Sequence, residues 1–240
     1  MNTISQSSIT VSDIHVSIDR KDIKNLHIGV YPPNGRVRVA TPVKIDDEAV
    51  RLAVISKLMW IKKQVCHFQE QSRETKREMV SGESHYFLGK RYLLEVVYGA
   101  KKYTVVKRHS TIELHVNLNT TVKNRQKLLN KWYREQLQIV VGRLIVKWQA
   151  IINVEIHNWS IKKMRTKWGS CNIEKKNILL NLSLARTPVE CIEYIVVHEM
   201  VHLLERHHND NFKVYMDRYL PEWKSYRDIL NQSILIHEEW

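Results

Sequence analysis

His198-Glu199-Met200-Val201-His202 lies near the carboxyl end of a 240-residue chain. Two histidines that are four residues apart lie one turn apart on the same face of an α-helix. Both imidazoles can then reach one metal ion, at roughly 2.0–2.1 Å for zinc. Glu199 projects beside them, so its carboxylate can stay off the metal and accept a proton from water that the metal activates. The spacing predicts a zinc site with two histidine ligands and a glutamate base.

The residues before this motif predict that it lies inside a helix. Thr187 can cap the helix, Pro188 suits its first position, and Glu190 can complete a capping box. Ile192 and Val196 then supply an apolar face at helical spacing. This is the context in which such a motif binds a metal, whereas an exposed polar helix with two histidines is the alternative.

A catalytic zinc usually has three protein ligands and an open position, so one ligand must come from elsewhere. Glu205 would share the face of His198 on a continuous helix. His208 can reach the metal only if the helix ends near Arg206, and Asn209 and Asp210 supply an N-cap for a new helix just after that point. The spacing alone leaves Glu205, His207 and His208 as alternatives.

Upstream, the pattern predicts strands and helices in two portions of the chain. Residues 1–118 form an antiparallel β-rich portion that contains one long helix, Asp46 to about Glu70. Residues 119–240 begin with an amphipathic helix from Lys123 to about Trp148. Strands near 154–156 and at 178–182 follow, with Trp168 to Cys171 between them.

The positive charge is concentrated in the middle of the chain. The net charge is +13, and residues 101–167 alone hold 15 basic and three acidic residues, a net of +12. Residues 188–240 have a net charge of −5. This segment predicts a basic surface that can bind nucleic acid, and the alternative is a solvated charged face without a partner.

The remaining composition excludes other classes of protein. The three cysteines include no CxxC pair, which argues against a disulfide framework or a cysteine zinc site. No apolar run is long enough to span a membrane, and the first twenty residues lack a signal-peptide core. We therefore expect a cytoplasmic protein without a membrane partner; the sequence leaves its oligomeric state open.

Several blocks of the sequence resemble the YgjP-like metallopeptidases, relatives of the SprT-like and WLM zincins. The HExxH motif, His208 and Phe212 match the family pattern HExxH-x5-H-x3-F. The other matching blocks are Trp168-Gly169-Ser170-Cys171, Leu180-Asn181 with Leu184 and Pro188, and Trp132-Tyr133-Arg134. Met200 replaces the more usual leucine, and a glycine commonly found before the Leu-Asn strand is absent.

The resemblance implies a zincin-like α+β catalytic portion after an N-terminal β-rich portion. It implies that His198, His202 and His208 bind Zn2+ and that Glu199 is the general base. Zincins bind extended peptide along an edge strand beside the active helix. The candidate strand is 177–182, with Asn177, Leu179 and Asn181 as substrate-binding residues, although Trp168 to Cys171 could serve instead.

The leading functional prediction is a zinc metallopeptidase that acts on a peptide or protein. A nucleic-acid-associated protease is the second prediction, favoured by the basic segment and by analogy with SprT-like relatives. A non-catalytic, zinc-stabilised binding module of a DNA-defence or repair system is the third. Arg206, His207 and Tyr215 are near enough in sequence to stabilise an oxyanion, but no choice among them follows.

Overall fold

The computed structural model describes residues 3–31, 35–70, 77–164 and 167–232. The chain forms two compact units, one within Met1–Glu74 and the other within Thr75–Glu238. The expected boundary between residues 118 and 119 therefore lies about 44 residues too late. The strands that precede residue 118 share one hydrophobic core with the long helix that follows it, so they belong to the second unit. The predicted α+β class is confirmed.

The first unit is a four-stranded sheet with two helices. Its elements are β1 (Thr3–Val11), β2 (Ile14–Lys21), β3 (His27–Tyr31), β4 (Arg36–Pro42), α1 (Asp47–Ser56) and α2 (Leu58–Glu70). The strand order is β1-β2-β4-β3, and the central pair β2–β4 is parallel whereas the outer pairs are antiparallel. The expected antiparallel arrangement thus holds only for the outer pairs. Alternate strand residues such as Val16 and Val39 pack with Val50 and Ile61 of the helices.

The helix expected over residues 46–70 is two helices. Asp46 caps α1 by accepting a hydrogen bond from the backbone N–H of Ala49 at 2.8 Å. The first helix ends at Ser56, and Lys57 has non-helical backbone angles before α2 begins. The apolar periodicity continues across this break, which is why the sequence pattern did not reveal it.

The second unit begins with another four-stranded sheet. Its strands are β5 (Ser84–Phe87), β6 (Lys90–Tyr98), β7 (Thr104–Lys107) and β8 (Thr111–Val116), in the order β5-β6-β8-β7. The helix α3 (Val122–Ile152) follows, and Thr121 caps it by accepting a bond from Asn124 N–H. The apolar stripe of α3 is buried; Trp132, for example, lies with its ring centroid 4.7 Å from that of Phe87.

A three-stranded sheet and three helices complete this unit. The strands are β9 (Asn158–Lys162), β10 (Gly169–Asn172) and β11 (Asn177–Asn181), and the helices are α4 (Val189–Val201), α5 (Asp210–Tyr219) and α6 (Trp223–Gln232). The strand expected near 154–156 is shifted to β9, because the left-handed residue Asn153 ends α3 and residues 154–157 precede the strand. In the part of the chain that the structure describes, no helix has the length and apolar character needed to cross a membrane.

Candidate metal centre

The helix α4 is held in the centre of the second unit. Nine of its residues are buried, and they contact α3, the three-stranded sheet and α6. Its N-cap is Pro188, which forms no side-chain cap, so the predicted capping box is wrong. The Thr187 hydroxyl instead donates to the carbonyl of Leu184 in the preceding 3₁₀ turn at 2.9 Å. The burial of α4, rather than a cap, fixes its position.

The predicted helix break is present but occurs earlier than expected. The helix ends at Val201, with His202 as its C-cap, rather than near Arg206. Asn209 caps α5, as expected, since its Oδ1 accepts a hydrogen bond from Phe212 N–H at 3.0 Å. The non-helical residues between the two helices allow His208 to turn back toward α4.

Three imidazoles meet at this point. The ligand nitrogens of His198, His202 and His208 all lie within 4.8 Å of one another, and this is the only such metal-binding group among the described residues. The Nε2 atoms of His198 and His208 are 3.0 Å apart. The ring of Phe212 lies behind all three, with centroid distances of 4.9, 4.9 and 4.7 Å. Of the three alternatives for the third ligand, the structure therefore brings His208 into the cluster.

The donor set fits a zinc ion. A tetrahedral zinc with bonds of about 2.0–2.1 Å separates its ligand nitrogens by roughly 3.3 Å, close to the 3.0 Å between the Nε2 atoms of His198 and His208. Nδ1 of His202 lies 3.2 Å from the carbonyl oxygen of Glu205, to which it can donate, and this leaves Nε2 to bind the metal. Burial and the neighbouring imidazoles lower the pKa of His198 to about 3. Burial also lowers the pKa of His202, so both rings keep a lone pair for a metal.

Glu199 lies beside the three histidines and is 5% exposed. Burial raises the pKa of Glu199 to about 8, and the positive charge of Lys167 partly opposes this shift. The carboxylate is packed against Gly169 of β10, where a Cβ atom would lie 2.5 Å from Oε1. A side chain at residue 169 would therefore displace the carboxylate from its present position.

The cluster opens into a cleft of about 780 Å3. One wall comes from β10 and the turn after it, and the other comes from the end of α4 and the segment that leads to His208. Lys167 and Arg206 contribute positive charge to the lining, and Leu203 contributes apolar surface. Of the three residues considered for oxyanion stabilisation, only Arg206 lines this cleft. A metal at the histidines would thus face a space large enough for part of a peptide.

Comparison with protein families gives a match over residues 24–233 to the model described as YgjP-like, metallopeptidase domain. The chain belongs to the YgjP-like metallopeptidase family. Comparison with curated protein sequences gives no match.

Two solved metallopeptidase zymogens are similar to this YgjP-like chain. Abylysin of Pyrococcus abyssi is 20% identical, with a TM-score of 0.35 over 38% of this chain and 90% of that chain. Jannalysin of Methanocaldococcus jannaschii is 23% identical, with a TM-score of 0.34 over 41% of this chain and 89% of that chain.

The strand expected to bind substrate in this YgjP-like protein is not an edge strand. β11 pairs with β9 on one side and β10 on the other, so its backbone groups are already used within the sheet. Asn177 and Leu179 are half-buried, and Asn181 is completely buried. The prediction that a peptide pairs with the strand containing Asn177, Leu179 and Asn181 is therefore wrong. The alternative, Trp168 to Cys171, overlaps β10, which lies at the edge of the described sheet.

Asn181 has a structural role that the sequence did not suggest. Its amide nitrogen donates to the carbonyls of Met164 and Lys167 at 2.9 and 2.7 Å, and its Oδ1 accepts from Met164 N–H and Ser183 N–H. These bonds fix the backbone at Met164 and at Lys167, which precede β10. The Leu-Asn pair in the family pattern was the available signal, but a buried carboxamide cannot be distinguished from a surface one in a single sequence.

Proposed function

We propose that this metallopeptidase is a zinc enzyme that hydrolyses peptide bonds, with His198, His202 and His208 as the zinc ligands. The observation that carries the proposal is the convergence of three imidazole nitrogens within 4.8 Å at the side of an open cleft. A bound zinc ion lowers the pKa of a coordinated water to about 7 and polarises a carbonyl group.

Glu199 is the proposed general base. Its buried carboxylate lines the same cleft as His198 and His202, and packing against Gly169 limits its rotation. In that position the carboxylate takes a proton from the attacking water and passes it to the leaving amine. Arg206 and Lys167 line the cleft as well, where their positive charges favour an oxyanion or an acidic group of the substrate.

The edge strand β10 is the proposed docking strand for the peptide. It runs along the cleft, and its partner on the other side is β11 in antiparallel register. A peptide that pairs with the free edge of β10 would satisfy its backbone hydrogen-bonding groups by strand addition. Because Gly169 lies against Glu199, this pairing brings a peptide bond close to the proposed base.

The test combines metal analysis with peptide cleavage. We expect one zinc per chain in both the parent and Glu199→Gln, and a loss of at least about 100-fold in kcat for the variant, as expected when a general base is removed. Glu205→Gln is the matched control, because Glu205 lies close by in sequence but does not line the cleft. Equal activity of Glu199→Gln and the parent would reject the proposed mechanism.

A protease that binds nucleic acid is a second candidate, favoured by a stripe of exposed cations on α3. Lys123, Lys127, Lys131 and Arg134 recur at spacings of three and four residues, which places them on one side of the helix. Replacing the three lysines with glutamate should abolish DNA binding at low salt while peptide cleavage continues. Failure of the parent to bind DNA at low salt would eliminate this candidate.

A non-catalytic zinc module is less well supported. Such a module has four protein ligands, whereas three candidate ligands converge in the described residues and a cleft lies beside them. The module predicts zinc binding without hydrolysis, so the same cleavage assay distinguishes it from the enzyme.

A further inference from the structure

The outer face of the three-stranded sheet carries a group of polar side chains beside Leu179. Along β9, Asn158 and Ser160 are exposed while the residue between them is half-buried, which shows the alternation of a strand with one solvent face. The opposite face of β11 carries Ile178 and Leu180, which are buried in the hydrophobic core. A second cavity of about 450 Å3 lies over these strands. Its lining consists of three asparagines and two serines together with Trp159, Cys171, Ile178 and Leu179.

Three asparagines form a row across this face. Asn172 of β10 is in register with Asn177 of β11, and Asn177 is in register with Asn158 of β9. Residues in register on neighbouring strands have Cβ atoms about 4.5–5.5 Å apart, which is within reach of their carboxamide groups. All three residues line the second cavity. A carboxamide carries both donors and acceptors, so the row can be extended by another side chain of the same kind.

The second cavity and the catalytic cleft lie on either side of the proposed docking strand β10 and share lining residues from it. Ser170, Cys171 and Asn172 of β10 line both this cavity and the catalytic cleft. A peptide paired with β10 would place alternate side chains on the two faces of the sheet. One set would point toward the cleft, and the other would lie over the outer face, where one residue would be in register with Asn172.

We propose that the row Asn172–Asn177–Asn158 is a second recognition site, which selects a glutamine or asparagine side chain in a substrate segment paired with β10. This inference rests on the proposed peptidase function and specifies the class of peptide. Oδ1 of Asn172 accepts a hydrogen bond from Lys175 N–H at 2.9 Å, which leaves its amide N–H groups to donate to the incoming carboxamide. The selected residue is three positions away from the residue in register with Gly169, since Asn172 is three residues after Gly169.

The first experiment measures kcat/KM of the zinc-loaded protein on matched peptides in which one glutamine is moved through an otherwise constant sequence. We expect glutamine at one position to increase kcat/KM by roughly fivefold to tenfold over alanine, the effect of about one net hydrogen bond. Asn172→Asp keeps the oxygen that accepts from Lys175 but removes the amide donors, and it should reduce this ratio to about one. The double variant Asn158→Ala and Asn177→Ala should reduce the ratio as well.

Asn119→Ala is the matched control, because Asn119 is exposed in the turn before α3 and does not line either cavity. It should keep the parent's glutamine preference. A preference that is absent at every position, or that persists in the Asn172→Asp and double variants, would overturn the inference.

A binding measurement separates this inference from the proposed function. Fluorescence anisotropy of the labelled glutamine and alanine peptides with Glu199→Gln reports affinity without cleavage. If the parent cleaves no peptide but the affinity difference appears and depends on the asparagine row, the proposed function fails and the recognition site stands. If peptides are cleaved but neither kcat/KM nor affinity distinguishes glutamine from alanine, the recognition site fails and the proposed function stands.

Discussion

Gly169 and Glu199 are in contact because residue 169 has no side chain. A Cβ atom there would lie 2.5 Å from Oε1 of Glu199 and 2.9 Å from its Cγ. Those distances are too short for any side chain without movement of the carboxylate or of β10. The absence of a side chain at residue 169 thus allows β10 and the carboxylate of the proposed base to lie this close together.

Gly169→Ala should consequently impair cleavage much more than folding. We expect kcat/KM to decrease by about 100-fold, because small displacements of catalytic groups have effects of that size. Overpacking should reduce the free energy of unfolding by about 1–3 kcal/mol. Gly142→Ala is the control, since a Cβ there would meet Trp159 at an ordinary 3.7 Å, and alanine favours the helix by about 0.5–1 kcal/mol. Full activity in Gly169→Ala would show that the contact does not position Glu199.

His208→Ala should weaken zinc binding, because His208 is the third proposed ligand, and His207→Ala should not. Changes in groups that only support a ligand already cost about 10- to 100-fold in affinity, so loss of His208 should cost at least about 100-fold. His207 is outside the histidine cluster, and its backbone N–H bonds to Glu205. Competition with a zinc chelator measures both variants. Equal zinc affinities would contradict the assignment of His208.

Asn209→Ala should weaken the metal site by loosening the segment that contains His208. Loss of the cap costs about 1 kcal/mol of stability, since the backbone N–H of Phe212 loses its partner. Phe212 lies against all three imidazoles, so zinc affinity should decrease together with stability. Asn211→Ala is the control, because Asn211 is exposed in the same turn. Thermal unfolding with and without zinc measures both effects. If Asn209→Ala lowers the unfolding temperature but leaves the stabilisation by zinc unchanged, the cap does not support the metal site.

His85 should make the fold sensitive to acid. It is 2% exposed, and burial, together with Arg77 and Arg186, lowers its pKa from 6.5 to about 4 despite the nearby Glu83. The unfolded chain takes up a proton near pH 6.5 and the folded protein does so near pH 4. The stability that comes from neutral His85 is therefore complete above pH 6.5 and decreases as the pH falls toward 4, by about 3 kcal/mol in total.

Urea unfolding between pH 8 and pH 4 measures this effect as the difference between the parent and His85→Gln. The comparison cancels the pH dependence of the metal ligands, which both proteins share. The parent should lose more stability than the variant over the interval from pH 6.5 to 4. Parallel curves would show that His85 does not contribute.

Patterns in the sequence predicted those elements that are determined by interactions between residues close together in the chain. The periodicity of α3 and the cap at Asn209 were both correct, because helix faces and caps involve residues only a few positions apart. The cap expected at Thr187 was wrong because its hydroxyl bonds backward to Leu184 rather than forward into α4. Either bond is within reach, and the choice depends on the 3₁₀ turn before the helix.

Strand order could not be predicted in the same way. β11 has the apolar alternation of a strand at either a central or an edge position, and its pairing with β9 depends on residues about 19 positions earlier. The contact between Gly169 and Glu199 is likewise a long-range approach, so the sequence showed a glycine without the group that requires it. The histidine pair on α4 and the need for a helix break before His208 were predictable from the spacing, whereas the choice of His208 over Glu205 and His207 came from the family pattern.

Because α4 ends between them, the two intervals that separate the proposed zinc ligands differ in how well they tolerate insertions and deletions. His198 and His202 are separated by one helical turn, and a single inserted residue there would rotate one of them by about 100°. His202 and His208 are separated by a non-helical segment whose ends are held by α4 and by the Asn209 cap. Length variation among relatives should therefore be absent from the first interval and, where it occurs, should be confined to residues 203–207.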